Sequence, residues 1–157
     1  MRLALFQPDI PQNLGGAIRL SACLGVPLDV IRPAAFPLGG DDVRRAAMDY
    51  TAIADTVVHS GWTEFRAARA GARLVLLSTR GSADLFDFAF RKDDVLLMGR
   101  ESAGVPDEVH QAADAVLRID LVQGARSLNV VTAAAMALGE ALRQTRSSRE
   151  VSGTGEG

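Results

Sequence analysis

Three polar or glycine-rich stretches could do chemistry: Ser78-Thr-Arg-Gly81, Gly99-Arg-Glu-Ser-Ala-Gly-Val-Pro106, and Asp120 to Ser127. Each follows an apolar run, so each would lie at the carboxyl end of a strand, where open parallel sheets bind ligands. Gly99 and Gly104 would let the backbone approach a ligand closely, and Glu101 adds one carboxylate. On spacing alone the second stretch reads equally well as a strand-to-helix turn, with Pro106 in the first helical turn. A fourth stretch, Asn13-Leu-Gly-Gly-Ala-Ile-Arg19, offers Asn13 as a helix N-cap and places Arg19 on the helix that follows. Several chemistries are excluded. There is no GxGxxG, no GxxxxGK[ST] and no HExxH. The residue two before Ser102 is Arg100, so no serine nucleophile elbow forms there. His59 and His110 are isolated in sequence; His59 should end a strand and His110 should sit on a helix surface. Cys23 is the only cysteine, which excludes a disulfide framework and a thiolate zinc site.

The elements that must position these loops alternate in type. Leu3 to Phe6, Leu28 to Ile31, Val57-Val58, Arg73 to Ser78, Val95 to Met98 and Ala115 to Ile119 read as strands. Between them, Leu14 to Leu24 (closed by Gly25), Asp41 to Met48, Trp62 to Ala70, Pro106 to Ala113 and Leu128 to Arg143 read as helices. Strands that are continuous apolar runs, separated by helices, predict a parallel sheet covered on both faces. From Leu128 to Leu142 only Asn129, Thr132 and Glu140 are polar. A helix so apolar all round must be buried on more than one side, and its small residues would admit a second helix. A homodimer through this helix is the expectation, the alternative being a helix well buried within a monomer.

The chain has 157 residues, 48% hydrophobic and 23% charged, enough for one domain with a full core. A net charge of −2 argues against polyanion binding by bulk charge. All basic residues but Lys92 are arginine, a skew that a GC-rich genome explains as readily as phosphate recognition. The apolar run Leu3 to Phe6 is too short for a secretion signal, and no apolar run is long enough to span a bilayer, so a soluble cytoplasmic protein is expected. The tail 147–157 is expected to be disordered.

Together these segments resemble the SPOUT superfamily of RNA methyltransferases. The resemblance rests on PQNLGGAIRLSACLG (Pro11 to Gly25), LLMGRESAGVP (Leu96 to Pro106) and LRIDLVQGARSLNVVTAAAMALGEALRQ (Leu117 to Gln144), which come in family order, with RRAAMDY (Arg44 to Tyr50) between them. It covers residues 2 to about 146 and is closest to the minimal tRNA wobble-ribose methyltransferases that lack an added RNA-binding domain. It implies a single α/β domain over residues 1–146: an open, mostly parallel sheet with helices on both faces and a C-terminal trefoil knot, an exception to the rule against knots. It implies S-adenosylmethionine held by loops at Leu77, Gly99, Ile119 and Ser127, with Gly104 and Leu121 close by and Asn129 holding the site together. It further implies a homodimer, no metal, and methyl transfer to the 2′-hydroxyl of the wobble nucleotide, cytidine or a modified uridine. Arg19 matches the family's first-motif arginine and would act on that hydroxyl from the partner subunit, with Glu101 orienting Arg19 or shaping the pocket. Arg19, Arg44, Arg45 and Arg126, joined by Arg80, would meet the tRNA. The sequence departs from the pattern at Thr132, where relatives carry Asn, at Gly139, where they carry an aromatic, and at Arg100, where many carry Pro. The alternatives left open are another tRNA position or ribosomal RNA as substrate, and a non-catalytic RNA-binding module.

Overall fold

The computed structural model describes residues 1–146; the tail expected to be disordered lies outside them. Seven parallel strands form one sheet in the order β3-β2-β1-β6-β4-β7-β5. The strands are β1 (Arg2–Phe6), β2 (Leu28–Ile31), β3 (Thr56–His59), β4 (Leu74–Leu77), β5 (Ala83–Asp84), β6 (Val95–Met98) and β7 (Ala115–Arg118). The helices are α1 (Pro11–Leu24), α2 (Asp41–Ala47), α3 (Trp62–Ala68), α4 (Asp107–Gln111) and α5 (Val130–Thr145), with 3₁₀ turns at Met48–Ala52 and Leu85–Asp87.

The apolar runs become central strands because both of their faces are covered. Leu3, Leu5, Val75, Leu77, Leu96 and Met98 face a core completed by Leu14 and Ile18 of α1, Val43 of α2 and Leu138 of α5. The alternate residues Ala4, Phe6, Leu74, Leu76, Val95 and Leu97 face the other side, where Phe65 of α3 and Val109 of α4 close a second core. This two-sided burial is the reason for continuous apolar runs rather than alternation.

The structure corrects several expected boundaries. Helix α1 begins at Pro11, so Asn13 lies inside it, buried, and is not its N-cap. Pro11 suits that start because a first-turn N–H has no intrahelical partner to lose. The last helix begins at Val130, not Leu128, because Asn129 caps it: Oδ1 accepts from the amides of Val131 at 2.8 Å and Thr132 at 3.3 Å. Short β5 had no apolar signal. His59 does end β3, buried against Asp29, whereas His110 is half-buried with Nε2 unpartnered rather than on an open surface.

One crossing shapes the site end of the sheet. Strand β7 lies between β4 and β5, so the connection 78–82 must cross it. It does so with Gly81 pressed on the β7 backbone, where a Cβ would overlap the Leu117 carbonyl. Arg118 ties the crossing down, donating from Nη1 to the carbonyls of Gly81 at 3.3 Å and Ser82 at 3.2 Å.

Candidate active site

The carboxyl ends of β4, β6 and β7 open into a cavity of about 550 Å³, a usual size for a small-molecule site. Leu77 ends β4, Met98 ends β6, and Ile119 follows β7, so three adjacent strands deliver three loops to one place. Leu77, Gly99, Gly104, Ile119, Leu121, Ser127 and Asn129 all line this cavity, as do Glu101 and Arg126. Arg19, Arg44 and Arg45 do not line it.

The loop after β6 folds back on itself. The amide of Arg100 donates to the Gly104 carbonyl and the amide of Gly104 to the Arg100 carbonyl, both at 2.9 Å. The pinch requires glycine at position 99, since a Cβ there would stand 2.8 Å from the Gly104 backbone, and Gly104 itself has φ +65°. Arg100 is accommodated by donating to Gln7 and lying 5.7 Å from the centroid of the Phe6 ring.

A hydrogen-bonded chain of side chains joins three elements beside the cavity. Asn129 Nδ2 donates to Asn13 Oδ1 at 2.9 Å, and Asn13 Nδ2 donates to Glu101 Oε1 at 3.0 Å. The amide of Asp9 donates to Glu101 Oε2 at 3.0 Å. Asp9 in turn accepts from the amides of Glu101 at 3.2 Å and Ser102 at 3.3 Å, and from the Ser102 hydroxyl. Burial, and then the neighbouring Asp9 carboxylate, push the Glu101 carboxyl above its usual range. Asp9 is displaced the other way, by its contact with Glu101 and the donors of Ser102. Within its own chain Glu101 does not orient Arg19: its oxygens are taken by Asn13 and Asp9, and it shapes the cavity wall instead. Asn13 is the site residue that sequence reasoning misplaced. The available signal was a polar residue in the first turn of the helix, and the capping reading absorbed it.

The arginines expected on RNA are distributed differently. Arg44 pairs with Asp41, Arg45 with Asp42 at 3.8 Å, and Arg80 with Asp107 at 3.4 Å, all on exposed surface. Arg19 is exposed on α1, with its guanidinium 5.5 Å from the Tyr50 ring centroid. Among the described residues, no three His, Cys, Asp or Glu side chains converge as a metal site would need.

The cavity walls suit a ligand with an apolar part and a polar end. Leu77, Met98, Leu117, Ile119, Leu121 and Ala133 supply apolar surface, while the loops around Gly99–Gly104 and Arg126–Asn129 supply backbone polar groups, Ser127 and Glu101.

Comparisons with known proteins agree. The SpoU rRNA Methylase family profile matches residues 1–139. A protein of Beijerinckia indica named tRNA (cytidine(34)-2′-O)-methyltransferase is 58% identical over 144 residues, 90% of each chain. A protein of the same name from Ancylobacter novellus is 53% identical over 92% of this chain and 93% of its own. A solved structure described as giving insights into 2-OH methylation of C/U34 on tRNA superposes with a TM-score of 0.88 at 42% identity, over 91% of this chain and 94% of that one. An AdoMet-bound rRNA methyltransferase from Sinorhizobium meliloti superposes with a TM-score of 0.83 at 30% identity, over 93% of this chain and 57% of that one.

Proposed function

The chain belongs to the SpoU rRNA Methylase family, and on that premise we propose that it methylates the ribose 2′-hydroxyl of nucleotide 34, the wobble position of tRNA. The observation that carries this reading is the convergence of the loops after β4, β6 and β7 on one cavity whose walls fit S-adenosylmethionine. Wobble tRNA is favoured over ribosomal RNA by identity, 58% to a relative named for cytidine 34 against 30% to the rRNA methyltransferase. S-adenosylmethionine, when bound, supplies an electrophilic methyl group on a sulfonium.

The chain's residues do the rest. Leu77, Ile119 and Leu121 would pack the adenosine, and the backbone at Gly99, Gly104 and Ser127 would hold polar groups that side chains could not reach as closely. Asn129 and Glu101 keep the cavity's shape through Asn13. Arg19 belongs to the reaction as a fixed positive charge. A guanidinium does not act as a base at neutral pH, so its part is to orient the 2′-hydroxyl and stabilise negative charge on that oxygen, whose proton passes to an RNA phosphate oxygen or to water.

Arg19 does not line its own chain's cavity, and this supports a homodimer in which it serves the partner's site. The outer face of α5 is the surface that would form it. Arg44, Arg45 and Arg126 would meet tRNA phosphates, the first two after exchanging Asp41 and Asp42 for phosphate. Residues 1–146 act as one domain in the cytoplasm on this reading. The connection 78–82 across β7, with α5 returning to pack on α1 and β6, supports a trefoil knot in this region.

Nucleoside mass spectrometry of tRNA lacking wobble ribose methylation, incubated with protein and S-adenosylmethionine, tests the reaction. A 2′-O-methylcytidine or 2′-O-methylated uridine mapped to position 34 is expected; a mark elsewhere overturns the substrate assignment. Arg19→Ala should keep cofactor affinity and lose methyl transfer by about 100-fold or more. Full activity in that variant would sink the role given to Arg19.

A further inference from the structure

Arg19 projects from the exposed side of α1, where a long side chain would ordinarily sample many rotamers. Here it is held. Its Nη1 donates to Met48 Sδ at 3.2 Å, and its guanidinium carbon lies 5.5 Å from the centre of the Tyr50 ring. Met48 pays for that placement in backbone strain: it has φ +55° and ψ −138°, a conformation that favours glycine. Burial does not explain a methionine there, since it is 54% exposed. Strain that packing does not explain clusters at functional positions.

We propose that Met48 and Tyr50 form a cradle that fixes the direction of Arg19 without neutralising it. The chemistry of the two groups carries the argument. A carboxylate would hold a guanidinium firmly but would cancel its charge. Among the described residues none lies within ion-pair distance of Arg19. A thioether is a weak acceptor and an aromatic face attracts a cation through its quadrupole, so both restrain direction and leave the charge available to an oxygen. Met48 and Tyr50 are therefore positioning residues, acting through Arg19.

The proposal rests on the role assigned to Arg19 above, and the experiment separates the two. Methyl transfer to tRNA lacking wobble ribose methylation is measured for Met48→Leu, Met48→Gly, Tyr50→Leu, Tyr50→Phe and Arg19→Ala. Cofactor Kd and unfolding temperature are measured alongside. Met48→Leu and Tyr50→Leu should each lower kcat about tenfold, with KM for tRNA and cofactor Kd within about twofold. Tyr50→Phe, which keeps the ring face, should recover most of the rate lost in Tyr50→Leu. Met48→Gly relaxes the backbone, so the unfolding temperature should hold or rise while kcat still falls; a merely structural role predicts no loss of rate. In protein labelled at the methionine methyls, the Met48 carbon-13 resonance should shift in Arg19→Ala without cofactor or RNA. Combining Tyr50→Leu with Arg19→Ala should cost no more than Arg19→Ala alone. Wild-type kcat in Met48→Gly, Met48→Leu and Tyr50→Leu, with Arg19→Ala inactive, overturns the cradle alone. Full activity in Arg19→Ala overturns both.

Discussion

Asp29 is fully buried in β2, with Arg2 Nε at 2.8 Å, Arg69 Nη2 at 2.6 Å and His59 Nε2 at 2.9 Å. Burial alone would raise its pKa, but hydrogen bonds from Arg69, Arg2 and His59 outweigh it and hold the carboxyl at about 2, below the ordinary 3.8. A carboxyl shifted this way contributes stability in full above the ordinary value and loses it as pH falls toward the folded one. Asp29→Asn should therefore destabilise the protein by about 3 kcal/mol at pH 7 in urea unfolding, since it strands buried partners of a charge. The gap from wild type should shrink as pH falls from 3.8 toward 2. None of this was legible in sequence, where Asp29 was one acid inside an apolar strand and His59 an isolated histidine. Asn13 and Asn129 teach the same lesson: their bond joins positions 116 residues apart, and no local pattern encodes it. Gly99 and Gly104 were legible because loop glycines have few other uses, although spacing alone did not decide between a turn and a site.

At the scale of elements, the strands were readable where both faces are buried. Leu28–Ile31 and Val95–Met98 match the expected spans, because a short run that is apolar throughout, or apolar but for Asp29, has little else to become when turns flank it. Strand β5 was not readable: Ala83 and Asp84 form it only because β7 lies within reach, so its cause is tertiary. The β6 loop carries the prediction for this scale. Gly99→Ala would push a methyl against the Gly104 backbone and open the pinch, a strain of about 1–3 kcal/mol. S-adenosylmethionine affinity by calorimetry should fall about tenfold or more, and the unfolding temperature should drop by several degrees, because the loop reaches the second core at Val105. An unchanged affinity would mean the pinch does not shape the binding surface.

The whole molecule has a tied end and an open one. Asp29 and Asp94, both fully buried, clamp arginines across the sheet, with Arg73 Nε on Asp94 at 2.7 Å, while the cavity opens at the carboxyl ends of β4, β6 and β7. Helix α5 was expected to be buried on more than one side. Within the chain Ala134, Ala137, Leu138 and Ala141 are buried, but Thr132 and Gly139 are exposed, and a Cβ at Gly139 would meet open space. No helix among the described residues is long and apolar enough to cross a membrane. If a second copy covers that face, Ala135→Arg should convert a dimer to a monomer in light-scattering chromatography, with methyl transfer lost and cofactor binding retained. A wild-type monomer would remove the route by which Arg19 reaches a site. The bond from Asn129 to Asn13 also sets an order in time. Synthesis runs from the amino end, so α1 and the β6 loop leave the ribosome before the partner that secures them. A nascent chain that has released every strand up to β6 has most of its sheet and no finished cavity. Cofactor therefore cannot guide folding of the chain up to β6, and a product truncated before Asn129 would lack the partner that secures Asn13.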